Sequence, residues 1–469
     1  MPAASSRPHP IPPALHASSP VHFVGIAGAG MSALAELLAR RGVPVTGCDA
    51  HPAAVADLEQ LGIAVAAGHD PHHVEGASEV IVTSAVPRDH PELAHARALG
   101  IPVVRRAEAL ARAVSVGTVV GIAGTHGKTT TTVMTTEALA AAGRDPTGIA
   151  GGRVGAWGGN LRPGGDAVFV VEADEYDRSF LALDPTVAVI TNVEADHLDI
   201  YADVADIRGA FETFASHART VVLCADDPGA SALALPDGAD VVSYGLAAPH
   251  ARVIARELRV HEEGGSRFVL SIDGAAVTEV VLQVPGRHNV LNALAALAAG
   301  WALGADPAAL ARGLQTFTGV ERRFQRVGEA AGVLVIDDYA HHPTEIRATL
   351  EAARAAFPGR RVLVAFQPHL YTRTRDFAAE FGRALALADA IFLTEIYPAR
   401  EQPIEGVTAG LIAEPARAAG GALAWRGERA RLADALAATV RRGDVVLTMG
   451  AGDITRTGPE LLERLVAAR

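Results

Sequence analysis

Residues 118–132 read TVVGIAGTHGKTTTT. A β-branched run enters the loop Gly124-Thr125-His126-Gly127-Lys128-Thr129-Thr130 and leaves into a helix-forming segment. A strand that feeds a helix in this way belongs to a parallel α/β sheet, because the helix covers the sheet before the next parallel strand begins. The chemistry of the loop narrows the reading further. Glycines let successive N–H groups turn toward one anion, and the helix N-terminus adds positive potential. A lysine reaches the β- and γ-phosphates of a nucleotide, and a hydroxyl holds Mg²⁺. The spacing departs from G-x-x-x-x-G-K-[ST], since Ile122 stands where the first glycine would be, but the shorter G-x-x-G-K-T supplies the same parts. The bland alternative is a glycine-rich turn with a solvated lysine. Composition speaks against it: of 41 Lys and Arg residues, Lys128 is the one lysine. A surface ion pair tolerates Arg for Lys, whereas a site needing a compact ammonium on a thin stem does not.

Around this loop, strand-like and helix-like stretches alternate almost throughout the chain's 469 residues. The predicted fold is α/β with three domains behind a disordered tail over residues 1–19. A Rossmann-like N-terminal domain spans 20–115. A central P-loop ATPase-type domain with a mainly parallel sheet spans 116–320, and a Rossmann-like C-terminal domain spans 321–469. A formal net charge of −12 argues against a nucleic-acid binder. No apolar run approaches the roughly 20 residues of a membrane helix, and the Pro/Ser-rich start lacks the apolar stretch of a secretory signal. Cys48 and Cys224 form no metal or redox spacing, which fits a reducing compartment. A cytoplasmic protein without membrane insertion, monomeric or homodimeric, is expected.

Further constellations lie at predicted strand ends, where open parallel sheets bind ligands. The strand AVFVVE ends at Glu172, placed to hold Mg²⁺, or else to serve as a helix cap or solvent acid. The next strand leads to His197, a metal ligand beside a carboxylate or an exposed loop histidine. Gly25-Ile26-Ala27-Gly28-Ala29-Gly30-Met31, with Asp49 at the following strand end, reads as a pyrophosphate loop with a ribose-binding acid. Its G-x-x-G-x-G spacing leaves the nucleotide open, and a ligand-free βα turn is the alternative. Asn289 and Asn292 share one helix face, where they could read a purine or cap the helix. Arg323 could reach phosphates or form a surface ion pair. Asp338, Tyr339, His341 and His342 follow one third-block strand, and His369 and Arg373 follow another. The adjacent His pair lacks a third zinc ligand at useful spacing.

The series GIAGAGMS, GTHGKTTTT, VVEADEYDRSFL, TNVEADH, PGRHNVLNALAA, GVERRFQ, DDYAHHPTEI, FQPHLYTRTRDF, IYPARE and GAGDI resembles the motif series of the Mur ligases over about residues 21–455. The glycine loop together with DDYAHHPTEI and FQPH resembles the branch that joins L-alanine to UDP-N-acetylmuramate with ATP in peptidoglycan precursor synthesis. The resemblance implies that Gly28, Ala29, Gly30 and Met31 face the diphosphate, that Asp49 meets the uridine, and that Ser84 lines the same site. It implies ATP on Gly124, Thr125, His126, Gly127, Lys128, Thr129 and Thr130, with Asn289, Asn292 and Arg323 on adenine and phosphates and Asp338 near the ribose. Thr129, Glu172 and His197 correspond to ligands of Mg²⁺, two ions being expected. Lys128, Glu172, His197 and His341 form the implied catalytic set, with His341 the candidate base for the amine. Tyr339 and Arg373 match the acceptor side. Two departures stand out. Leu370 occupies a position where many members carry Arg. The single lysine also excludes the carbamoylated lysine that several Mur ligases use. Alternatives from the same residues are a ligase that attaches a preformed tripeptide, a nicotinamide-dependent oxidoreductase, and a nucleotide-binding regulator without catalysis.

Overall fold

The computed structural model describes residues 19–51, 56–198, 200–261, 264–399 and 401–467. The tail expected over 1–19 lies outside these, except for Ser19. The chain divides into two compact units. One comprises Met1–Ile254, Ser271–Thr278 and Asn292–Gly313. The other comprises Ala255–Leu270, Glu279–Leu291 and Leu314–Arg469. The architecture is α/β with mostly parallel sheets, as the sequence predicts.

The first unit opens with β1 (Val21–Val24), β2 (Val45–Asp49), β3 (Ala64–Ala67), β4 (Glu79–Val82) and β5 (Val103–Arg105). They form a fully parallel sheet in the order β3-β2-β1-β4-β5. Connections diverge to either side of β1, so its carboxyl end is a switch point where a crevice opens. A second sheet follows: β6 (Thr118–Ala123), β7 (Pro146–Val154), β8 (Gly159–Arg162), β9 (Gly165–Glu172), β10 (Val187–Ile190), β11 (Thr220–Cys224) and β12 (Asp240–Gly245). These run β12-β11-β10-β6-β9-β7-β8, with β8 antiparallel to β7. Because β9 and β10 flank β6, their carboxyl ends border the loop that leaves it. The strand β6 is buried on both faces beyond its first residue, as a near-continuous apolar run requires.

The helix Lys128–Ala141 behind β6 is rich in threonine yet almost wholly buried. Thr135 and Thr136 donate their hydroxyls to the carbonyls of Thr131 and Thr132 at 2.7 and 2.8 Å, which removes the cost of burying them. One apolar core runs from Phe23 of the first sheet to Phe169 and Phe214 of the second.

The strands β13 (Val253–Val260), β14 (Ser266–Ile272) and β15 (Ala275–Leu282) are divided between the units. The second unit then builds a sheet from β16 (Gln325–Ala330), β17 (Val333–Asp338), β18 (Val362–Phe366), β19 (Ala390–Thr394), β20 (Leu423–Gly427) and β21 (Val445–Met449). Its order is β16-β17-β21-β18-β19-β20. The sequence marks this block as parallel, but β16 is an antiparallel edge strand. Ala331 and Gly332 between β16 and β17 both have positive φ, the conformation of a two-residue hairpin. The pair Ala-Gly is a weaker signal for that turn than Asn-Gly.

Candidate active site

At the end of β6 the chain turns at Gly124, with φ 138°. A Cβ there would come within 1.9 Å of Thr191 Oγ1. Gly127, with φ 80°, precedes the helix, and a Cβ there would meet Asn292 Oδ1 at 2.5 Å. Only glycine combines this backbone with this closeness. The residues after β10 hold the loop between these turns. Asn192 Oδ1 accepts the His126 N–H at 2.7 Å, and Thr191 Oγ1 donates to the His126 carbonyl at 2.6 Å. Thr125 Oγ1 accepts the Glu194 N–H at 2.9 Å. The sequence reading assigned no role to Thr191 or Asn192. The available signal was a polar pair closing an apolar strand that neighbours β6. Thr130 is buried in the helix's first turn, and Thr131 donates to Asn292 Oδ1 at 3.2 Å. Asn289, in the other unit, donates to the Pro285 carbonyl at 2.7 Å.

Lys128 Nζ donates to the carbonyls of Gly124 and Thr125 at 2.8 and 3.2 Å, and to both oxygens of Glu175 at 2.9 and 2.7 Å. Burial works against its charge, but Glu175 and Asp174 outweigh that and hold the ammonium above its ordinary pKa. Burial would raise Glu175, yet Lys128 and His197 hold that carboxylate below its usual range. His197 stands 3.5 Å from Glu175. Burial lowers its pKa, and Glu175 and Asp196 more than offset this, so the ring is raised overall. Glu172, at the end of β9, accepts from Thr129 Oγ1 at 3.0 Å and from the Gly151 N–H at 2.5 Å. Burial raises its pKa. Glu175 is thus the hub joining Lys128 to His197, and the sequence reading assigned it no role. Its signal was an acid three residues beyond Glu172 in VVEADE.

In the first sheet, Gly28 and Ala29 are exposed at the start of the helix Ala29–Arg40. Gly30 faces Arg106, whose guanidinium a Cβ would meet at 3.1 Å. Sequence reasoning missed Arg106, a cation beside an anion-type loop. Met31 departs from its expected place facing the diphosphate. Its side chain lies in the core, and its N–H donates to the Gly28 carbonyl at 2.9 Å. A helix's third residue can satisfy its own donor in this way, so Met31 supports the loop from beneath. Asp49 holds the loop too, accepting the Ala27 N–H at 3.0 Å. Ser84 is exposed after β4, and its neighbour Thr83 lies against Gly25.

In the second unit, Asp338 accepts the N–H groups of Phe324 and Ala340, each at 2.8 Å. Burial pushes its carboxyl up to about 6, against the pull of Arg323. The guanidinium of Arg323 lies 5.2 Å from the Tyr339 ring centre and 3.6 Å from Glu345. His341 Nδ1 sits 2.9 Å from the Tyr339 carbonyl and 3.2 Å from Glu345. The adjacent His342 caps the helix Pro343–Ala356. Arg373 is buried in the helix Tyr371–Asp376, which begins after Leu370 at φ 70°.

The fold and these loops define a three-domain α/β protein with two nucleotide-type glycine loops and a third sheet whose strand ends carry acids, histidines and arginines. Residues 20–117 match the Mur ligase family catalytic domain, 122–300 the Mur ligase middle domain, and 322–452 the Mur ligase glutamate ligase domain. The chain belongs to the Mur ligase family. It is 49% identical to the UDP-N-acetylmuramate–L-alanine ligase of Kineococcus radiotolerans, covering 95% of this chain and 96% of that one. It is 46% identical to the enzyme of the same name from Acidothermus cellulolyticus, covering 99% of each. The crystal structure of the UDP-N-acetylmuramate-alanine ligase of Thermotoga maritima superposes with a TM-score of 0.81 at 31% identity, covering 96% of this chain and all of that one.

Proposed function

We propose that this chain joins L-alanine to the lactoyl carboxylate of UDP-N-acetylmuramate, driven by ATP, in the cytoplasm. The observation that carries the reading is the buried Lys128 at the switch of the second sheet, in a chain nearly half identical to ligases of that name over almost its full length. We assign residues 20–115 to the UDP moiety, 116–320 to ATP and 321–469 to the amino acid.

Gly124 to Thr130 would cradle the phosphates, with Asn289, Asn292 and Arg323 on the rest of the nucleotide and Asp338 toward its ribose. Gly28, Ala29, Gly30 and Arg106 would take the diphosphate, with Met31 beneath them and Asp49 and Ser84 beside the uridine. Thr129 and Glu172 offer hard oxygen donors 3.0 Å apart, the chemistry Mg²⁺ selects. His197 would complete the metal set. Bound there, Mg²⁺ would neutralise charge on phosphoryl oxygens. Lys128 exchanges Glu175 for phosphate as the nucleotide binds. The lactoyl carboxylate attacks the γ-phosphorus, ADP leaves, and an acyl phosphate forms. The amine of L-alanine attacks the acyl carbon and phosphate departs. His341, oriented by the Tyr339 carbonyl and Glu345, takes the proton from the amine, while Tyr339 and Arg373 position the acceptor.

Phosphate release measured against a panel of L-alanine, L-serine, glycine and a muramyl tripeptide tests this. Turnover should require both UDP-N-acetylmuramate and L-alanine. Release indifferent to L-alanine, or faster with the tripeptide, overturns the reading.

A further inference from the structure

The first sheet carries a second constellation around Cys48 of β2. Glu92, in the first turn of the helix Pro91–Ala98, is 0% exposed. Cys48 Sγ reaches both of its oxygens, Oε1 at 3.1 Å and Oε2 at 3.3 Å, while the other partners divide between them. Oε1 accepts the Asp70 N–H at 3.1 Å and lies 2.9 Å from His73 Nδ1. Oε2 lies 3.3 Å from Cys48 Sγ, 3.1 Å from His69 Nδ1 and 3.7 Å from His90 Nδ1. Cys48 Sγ is 3.5 Å from His69 Nδ1. One imidazole nitrogen of this cluster, His90 Nδ1, is buried with no hydrogen-bond partner among the described residues. Hydrogen bonding alone leaves that cost unexplained, since a buried polar atom without a partner is unfavourable.

A metal ion would use these atoms. Bond lengths of about 2.0–2.3 Å at tetrahedral angles place ligand atoms about 3.3–3.6 Å apart, close to the separations of Glu92 Oε2 from Cys48, His69 and His90 and of Cys48 Sγ from His69. We propose that Cys48, His69, His90 and Glu92 form a binding site for a divalent transition cation of the zinc class. A thiolate with imidazoles selects such an ion over Mg²⁺ or Ca²⁺. The Asp70 N–H and His73 hold the other carboxylate oxygen, the outer-shell support such ligands require. The site lies directly under the substrate loop. The Cys48 carbonyl accepts the N–H groups of Gly25 and Ile26 at 2.9 and 3.1 Å, and its neighbour Asp49 accepts that of Ala27. The ion would therefore stiffen the strand end from which the glycine loop hangs.

Titration of the metal-free full-length protein with Co²⁺ tests the proposal, because a thiolate-to-cobalt charge-transfer band reports sulfur ligation and is blind to oxygen sites. One equivalent should develop the band, and Zn²⁺ should abolish it. The band should be lost in Cys48→Ser and unchanged in Cys224→Ser. In His69→Ala, whose side chain is partly exposed and whose loss the fold should tolerate, Co²⁺ affinity should fall at least about tenfold. No band in the wild-type protein, or wild-type affinity in His69→Ala, overturns the site. Melting temperature gives a second readout: Zn²⁺ should raise it in the wild type and not in His69→Ala, and an equal rise in both counts against the proposal.

Discussion

Lys128 directs its protons at two loop carbonyls and at both oxygens of Glu175. A planar guanidinium is wider and cannot reproduce that fan of donors. Lys128→Arg should therefore lower kcat/KM at least about a hundredfold with an unchanged far-ultraviolet circular dichroism spectrum. Near-normal turnover would mean that the lone lysine reflects drift alone. Glu175 is the counterpart. Its removal strands a buried ammonium, and breaking one side of a buried pair costs about 3 kcal/mol. Glu175→Gln should lower the melting temperature of the nucleotide-free protein and enlarge the gain on adding an ATP analogue, since phosphates then replace the missing charge. An equal gain in both proteins would refute that exchange. Of this pair, the lysine was legible from composition and loop spacing. Glu175 was not, because an acid in VVEADE identifies itself only when the strand places it against Nζ.

The elements that carry the site rest on aromatic packing. Phe180, after Glu175, stacks on Phe214 at 5.0 Å and meets Phe211 edge-on at 5.2 Å. These two residues belong to the helix Val204–Ser216. A Cβ on Gly121 of β6 would come within 2.9 Å of the Phe214 ring, so the helix closes directly on the strand that feeds the loop. Tyr201 Oη donates to the Glu175 carbonyl at 2.7 Å, tying the segment that carries the acid. Phe214→Ala should destabilise the first unit by about 3–5 kcal/mol, read by urea denaturation. A cost below about 1 kcal/mol would show that the site does not depend on this packing. The alternation of apolar strands with helix-like stretches was legible in the sequence. The antiparallel β16 was not, because its hairpin rests on the positive φ of Ala331 and Gly332 rather than on residues that announce such a turn.

For the whole molecule, the continuous core from Phe23 to Phe214 makes the first two sheets one cooperative unit, while the third sheet has its own core around Phe366 and Phe381. Calorimetry should resolve two transitions. A non-hydrolysable ATP analogue at about 100 times its Kd should stabilise the unit holding the P-loop by about 2.7 kcal/mol. A single transition, or no shift, would contradict this division. Residues close in the chain were readable from sequence alone. The glycine loops, Lys128 with Thr129, and the acids ending apolar strands all owe their chemistry to local spacing and to the period of a strand or helix. What only the tertiary structure decided is which separate segments meet. Thr191 and Asn192 brace His126, Glu175 joins Lys128 to His197, and Glu92 gathers Cys48 with His69 and His90. Parallel crossovers bring strand ends and their loops together from positions tens of residues apart, and no spacing rule in the chain records which of them will become neighbours.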